Sequence, residues 1–529
     1  MTPVMTGVSQ RPFYKWLVVI AVMSGAFLVV LDTTVVNVAL PKIMAAFGVN
    51  VDKIEWIITA YMIAMAIMMP SVGWLSARIG NKTLFMASLI IFTAASCLSG
   101  AAWNVDALIV FRIFQGVGAG ALMPIAMVII FEAFPPEERG LAMGIYGIGA
   151  TFGPAIGPTL GGYLTDQFSW HLIFYINIPI GLIGVVLAAI ILQPDKHKEE
   201  MHFDILGFLT MSVFLGSLLV ALSQGQREGW SSFYILTLFT VAAFGLVTFL
   251  WAERVAKEPF IDLSVYKTFA HTMATLVFII QGFGLYGSTF LIPLYFESML
   301  DYTALQAGLL MLPMALVVAV VLPLAGRMAD RMDGRIPITL GVLLSAISLY
   351  WLSFVDLRTS QTTAYLMLIV RGLGVGFIFP PLMNLALKCL PPEKTAVGSG
   401  LMNVSRQIGG AFGVAIVGVL LERREVFHHS IFAQAQNLNS FATKNFLNYL
   451  QELFLKLGNV ENLAYHKALA ILHLLVKKEA MVASFDDCFL IAGMVFLLAL
   501  VPTLMLRVSE TQVILEPEHT YNISSGDRE

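Results

Sequence analysis

Charge is scarce in this sequence. Asp, Glu, Lys and Arg make up 12% of 529 residues, against ~25% in an ordinary water-soluble domain. Cysteine is scarcer still: Cys97, Cys389 and Cys488 are the three, too few for a disulfide scaffold, and they read as free thiols. Neither sign of charge dominates, the formal net charge being −3, so no nucleic-acid footprint and no acidic disordered region is encoded. The chain has no phosphate-cradling loop ending in Gly-Lys-Ser/Thr, which excludes ATP as a driver. His428 and His429 are adjacent, a poor spacing for chelation on one helix face, so they read as solvated and no metal site is expected. What remains is apolar: 58% of the chain, about 307 positions. A membrane crossing needs roughly 20 such residues, so the chain holds enough for about 14 helices and its main partner is the lipid bilayer.

Apolar runs bounded by charge, Pro or polar clusters predict fourteen spans, at 16–40, 54–77, 83–101, 107–131, 140–164, 171–192, 204–222, 233–251, 270–297, 304–326, 337–355, 362–387, 396–421 and 485–506. The runs are continuous rather than alternating, which excludes a β-barrel. With the N-terminus inside, sixteen Lys and Arg fall on the inner side, among them Arg11, Lys196, Lys198 and Arg507. Four fall in short outer loops: Lys42, Lys53, Arg227 and Arg358. That bias places both termini in the cytoplasm, as a segment 1–15 and a tail 507–529. One stretch, 422–484, stays outside. Its apolar positions, Phe446, Leu447, Leu450, Leu453, Phe454 and Leu457, then Leu469, Leu472 and Leu475, have helical spacing. Three readings stand for this stretch: a pair of amphipathic helices resting on the outer membrane surface, a docking surface for a partner outside the membrane, or a short extra hydrophobic hairpin.

A repeat with an offset of 256 residues joins the two ends of the chain. Pro135-Pro136-Glu137 recurs as Pro391-Pro392-Glu393, Gly116 and Pro124 as Gly372 and Pro380, and Gly144, Gly153 and Gly157 as Gly400, Gly409 and Gly413. The turn Gly73 to Arg78 recurs as Gly326 to Arg331 with a three-residue slip. The chain therefore divides into a six-helix bundle over 16–192, an inserted helix pair with its flanking loops over 193–269, and a second six-helix bundle over 270–506. Parallel six-helix repeats of this kind bury a substrate path between their halves and work by rocking.

Several motifs carry a family resemblance. They are Leu31-Asp32-Thr33-Thr34-Val35-Val36-Asn37-Val38-Ala39-Leu40-Pro41, the turn Gly73 to Lys82, Arg112-Ile113-Phe114-Gln115-Gly116, the stretch Gly149 to Gly162, and Phe174-Tyr175-Ile176-Asn177-Ile178-Pro179-Ile180-Gly181. In this order, and with a duplicated fold, the chain resembles the major facilitator superfamily in its 14-helix drug:proton antiporter branch, that of EmrB- and QacA-type multidrug exporters. The resemblance implies an all-α polytopic fold of two six-helix bundles with two inserted helices. It also implies proton-coupled export of hydrophobic or amphipathic small molecules across the inner membrane, with no cofactor and no enzymatic activity. In the EmrB type, a periplasmic adaptor and an outer-membrane channel complete the path, and 422–484 is where such a partner would dock. Two other functions stay open: a dedicated exporter of one lipid-like or siderophore-like metabolite, and a non-transporting membrane partner or sensor acting through 422–484.

The charges within the spans are the candidate site. Asp32 lies nine residues before Pro41, about 13 Å inward at ~1.5 Å per residue. A carboxylate there is a functional candidate because burial disfavours its charged form, the direction a reversible proton carrier needs. The competing reading is a structural Asp capped by Thr33 and Thr34. Arg112, six residues beyond Asp106, reaches a similar depth and is its expected partner; the alternative is an Arg snorkelling to the interface. The resemblance assigns the matching Arg to proton transfer. Gln115, Gln281, Tyr286, Glu297, Arg371, Asn384, Asn403, Arg406 and Gln407 are candidates for a polar substrate cavity; Arg371 and Arg406 suit anionic or zwitterionic compounds and Glu297 suits cations. Gly149, Gly153, Gly157 and Gly161 form an i+4 stripe, extended by Gly162 and interrupted by Pro154 and Pro158, a packing face that the resemblance identifies as the antiport motif. Gly73, Arg78, Gly80 and Lys82, with Asp330 and Arg331 in the second copy, read either as a latch between halves or as basic anchoring. The family pattern has an Asp before the Arg; here Ala77 stands there, and only Asp330 keeps the acid.

Overall fold

The computed structural model describes residues 13–195, 202–435 and 440–506. Arg11, Lys196, Lys198, Arg507 and the tail 507–529 lie outside the described residues. Among the described residues every regular element is helical. The first half comprises α1 (Tyr14–Phe47), α2 (Val51–Ile54), α3 (Trp56–Met68), α4 (Val72–Ile79), α5 (Asn81–Gly100), α6 (Val105–Ala133), α7 (Arg139–Gln167), α8 (Leu172–Tyr175) and α9 (Asn177–Ile191). The inserted pair is α10 (Ile205–Glu228) and α11 (Phe233–Val255). The second half comprises α12 (Phe269–Met299), α13 (Ala304–Arg331), α14 (Arg335–Leu352), α15 (Gln361–Lys388), α16 (Thr395–Ala435), α17 (Phe441–Lys456), α18 (Glu461–Leu498) and α19 (Leu500–Met505).

By length and composition, 12 helices among the described residues are fit to cross a membrane, or 13 when the bent pair Val51–Met68 and Val72–Ile79 is one span. That pair is the span expected at 54–77; it bends by 59° at Met69-Pro70-Ser71, where a proline cannot continue the helical hydrogen-bond ladder. The fourteenth expected span is α7. Its many glycines make it less apolar than the others, yet it runs the length of the bundle, packed on α1 in its own half and on α13 and α15 of the other. The two halves also meet where α16 packs on α4 and α6. Of the inserted pair, α10 bridges α3 and α16 while α11 packs chiefly on α10.

The stretch 422–484 is helical where its apolar spacing predicted, over α17 and the first part of α18, but it is continuous with two of the spans. α16 runs 41 residues without a break and α18 runs 38, far more than the ~20 a bilayer needs. The two spans therefore continue past the apolar slab as paired rods, with α17 folded back onto α18 through Leu447, Leu450 and Ala468. Helical periodicity persists there while hydropathy drops. His428, expected to be solvated, instead pairs through Nε2 with Asp487 Oδ2 at 2.7 Å, and Arg424 Nε reaches the same carboxylate at 3.2 Å.

Candidate functional site

In the first half, α1, α3, α5, α6 and α9 converge on a single carboxylate. Asp32, Arg112, Gln115 and Asn177 are all 0% exposed. Arg112 Nη1 donates to Asp32 Oδ2 at 2.5 Å and to Gln115 Oε1 at 2.7 Å, and Gln115 Nε2 donates to Asp32 Oδ1 at 2.8 Å. Asn177 Nδ2 donates to the same Oδ1 at 3.0 Å and to Ser96 Oγ at 3.0 Å, while Ser96 Oγ donates to the Phe174 carbonyl at 2.9 Å. Arg112 Nε donates to the Ile57 carbonyl at 3.2 Å, and its guanidinium lies 4.0 Å from the centre of the Tyr61 ring. The close approach of Gly116 to the Tyr61 carbonyl, 2.5 Å from where a Cβ would stand, brings α3 and α6 close enough for this. A buried ion pair is stable only when its remaining donors and acceptors are also bonded, and here the two amides complete it.

The structure thus joins Asp32 to Arg112 and draws Gln115 out of the expected cavity set into the same network. The capping of Asp32 by Thr33 and Thr34 does not occur: their hydroxyls bond to the Val29, Val30, Leu31 and Gly153 carbonyls. Asn177, Ser96 and Tyr61 belong to the site and were not singled out by sequence reasoning. For Asn177 a signal existed, since it is an amide inside an apolar run in one of the family-like motifs.

The second half places its counterpart differently. Arg371 of α15 is 0% exposed; its Nη2 donates to the Gly284 carbonyl at 2.9 Å and to Ser288 Oγ. Ser288 and Arg371 stand at the same 256-residue offset from Asp32 and Gln115, so the contact is the repeat of the Asp32–Gln115 contact with the acid lost and a cation gained.

The other candidates scatter. Gln281 is buried, with its Oε1 unpaired. Tyr286 packs on Gly410 of α16, Arg406 lies 5.3 Å from the Phe379 ring centre, and Asn403 donates to the Ser399 carbonyl at 2.9 Å and faces Met127 Sδ of the first half at 3.5 Å. Gln407 is buried beside them on α16, whereas Glu297 is exposed. Asn384 Nδ2 donates to Asp330 Oδ1 at 3.3 Å.

At the basic end of the bundle the halves are locked together. Asp330, in α13, accepts from the backbone N–H groups of Gly140 and Leu141 at 2.7 and 2.8 Å. It thereby caps the N-terminus of α7, where unpaired amides and the helix dipole favour an anion. Close backbone approach makes this possible: a Cβ on Gly326 would stand 2.0 Å from the Gly140 carbonyl, and one on Gly73 would stand 2.3 Å from Val397 Cγ2. Lys82 stays within the first half, donating to the Ala189 and Leu192 carbonyls at the end of α9. Gly80, at φ +89°, makes the turn into α5. Arg78 and Arg331 are exposed at this end. Just beyond α13, hydrogen bonds from Arg335 hold the Asp333 carboxyl below the usual carboxylate range. A cleft of about 650 Å³ opens beside Gly73, Lys82, Glu132, Asp195 and Glu393; Asp32, Arg112 and Arg371 do not line it.

The glycine stripe of α7 faces α1. A Cβ would meet Met23 at Gly149, Val30 at Gly153, Thr34 Oγ1 at Gly157, 2.0 Å away, and Val35 at Gly161; at Gly162 it would only graze Val38. The side chains of Pro154 and Pro158 lie outside the described residues.

Known proteins agree with this architecture. The profile of the Major Facilitator Superfamily matches residues 22–414. The chain is 31% identical over 506 residues to an uncharacterized MFS-type transporter, YhcA, of Bacillus subtilis, covering 95% of this chain and 94% of that one. It is 32% identical over 426 residues to the multidrug export protein EmrB of Escherichia coli K12, covering 79% and 82%. In fold it resembles the human organic anion transporter MFSD10, with a TM-score of 0.61 at 13% identity over 93% of this chain and 100% of that one. The chain belongs to the Major Facilitator Superfamily and is a membrane transporter, not an enzyme.

Proposed function

We propose that the protein exports hydrophobic or amphipathic small molecules in exchange for protons by alternating access. The likeness to multidrug exporters supports the cargo. The observation that carries the coupling is the Asp32 network. A carboxylate held by Arg112, Gln115 and Asn177, which come from two other helices, loses its charge when protonated. The charge-assisted bonds to α6 and α9 then weaken together. Protonation is thereby tied to how tightly α1 is held, and α1 is the helix on which the glycine stripe of α7 rides. Because α7 also packs on α13, a change at Asp32 reaches the seam between the halves.

With the basic end cytoplasmic by the positive-inside rule, the contacts of Asp330 with Gly140 and Leu141 join the halves on the cytoplasmic side. The Asp330 cap on α7 is the latch that opens for loading. Both termini then lie inside, and the paired rods of α16 and α18 stand outside, where a periplasmic adaptor would find them.

Inverted membrane vesicles energised by respiration test this reading with ethidium as the probe. Uptake should collapse with a protonophore, persist when the membrane potential alone is dissipated, and disappear in Asp32→Asn. Protonophore-insensitive uptake would refute proton coupling.

A further inference from the structure

Arg371 is a fully buried cation of the second half with no ion pair among the described residues. Its Nε and Nη1 have no hydrogen-bond partner and no carboxylate is among its contacts. Arg112, equally buried, has an acid, an amide and a carbonyl. A guanidinium cannot shed its charge at any physiological pH, and an isolated buried cation is strongly unfavourable. Its surroundings are shaped rather than incidental. Gly284 lets the Phe496 ring lie against α12, where a Cβ would stand 2.1 Å from Phe496 Cδ2, and the ring covers the guanidinium at 5.4 Å. Ser288 supplies a hydroxyl on the same side, and one turn before Gly284 the Gln281 amide keeps an unpaired Oε1.

We infer that Arg371, with Ser288, is a recognition site for a monoanionic group of carboxylate size, reached when the Phe496 ring turns aside. Two sources share that chemistry: the headgroup of a carried amphipathic acid and a free small anion. The first deepens the export reading above and names a substrate class, amphipathic carboxylates. It sets the second half apart from the first, whose Arg112 is already neutralised by Asp32.

Full-length protein in neutral-lipid nanodiscs tests this with a matched series: 4-phenylbutyrate, 4-phenylbutanol, 4-phenylbutylamine and sodium acetate, read by titration calorimetry. The carboxylate should bind about tenfold or more tighter than the alcohol, the advantage of a charge-assisted hydrogen bond. Arg371→Gln, which places in the second half the side chain the first half carries at Gln115, should erase that difference. Ser288→Ala should reduce it a few-fold without touching the charge, and Phe496→Ala should tighten binding. Arg371-dependent binding of 4-phenylbutyrate but not acetate identifies a carried acid; equal Arg371-dependent binding of both identifies a free anion. Carboxylate and alcohol binding alike in the native protein, or a preference that survives Arg371→Gln, would overturn the inference. No transport is needed for this readout, so protonophore-insensitive uptake in vesicles would refute the proton-coupled reading and leave the Arg371 result standing.

Discussion

The two halves of this transporter descend from one pattern and treat buried charge in opposite ways. In the first, Asp32 and Arg112 cancel each other and two amides fill the remaining bonds. In the second, the same register holds Ser288 and Arg371, a hydroxyl against a cation, and much of the guanidinium stays unbonded. The difference teaches that symmetry of backbone need not mean symmetry of chemistry. A closed network of side chains holds its helices together, whereas an unsatisfied cation is fitted to wait for a ligand.

Mutations can break that comparison, beginning with the largest effect. Arg112→Leu leaves Asp32 buried without its cation and should cost about 3–5 kcal/mol, read as a large drop in the thermal unfolding temperature; adding Asp32→Asn should restore a good part of it. Arg371→Gln should do the reverse, leaving the unfolding temperature unchanged or raised. If both arginines prove equally costly to remove, the asymmetry is unreal. Next comes Gly157→Val, whose side chain would collide with Thr34 and should cost about 1–3 kcal/mol while separating α7 from α1; transport should be lost even where the protein still folds. A smaller effect, ~1 kcal/mol, is expected from Asp330→Ala, which uncaps α7. Its sensitive readout is faster labelling of a cysteine placed at Ala396 by a membrane-impermeant maleimide from the basic side. Unchanged labelling would mean that Asp330 is not a latch.

Much of this was legible beforehand, for physical reasons. Asp32 and Arg112 announce themselves because ionised groups are rare in apolar runs, and the offset repeat exposes the duplication. Asn177 gave a weaker signal, because a neutral amide in an apolar run carries no comparable penalty; its bond to Asp32 shows its place in the site. Arg371 was visible as a charge, but its lack of an acid is a fact of three dimensions. The full lengths of α16 and α18 were not legible, because hydropathy reports where the lipid stops, not where a helix does. Pro70 marked the bend before α4, yet the size of a proline's effect depends on the neighbours that accept it.

The central claim is that the proton resides at Asp32, and proton release on substrate binding tests it most directly. Purified protein in lightly buffered nanodiscs with a pH-indicator dye should release protons when ethidium is added, and Asp32→Asn should release none while still binding the dye. Release of undiminished size from Asp32→Asn would place the coupling elsewhere and contradict the account.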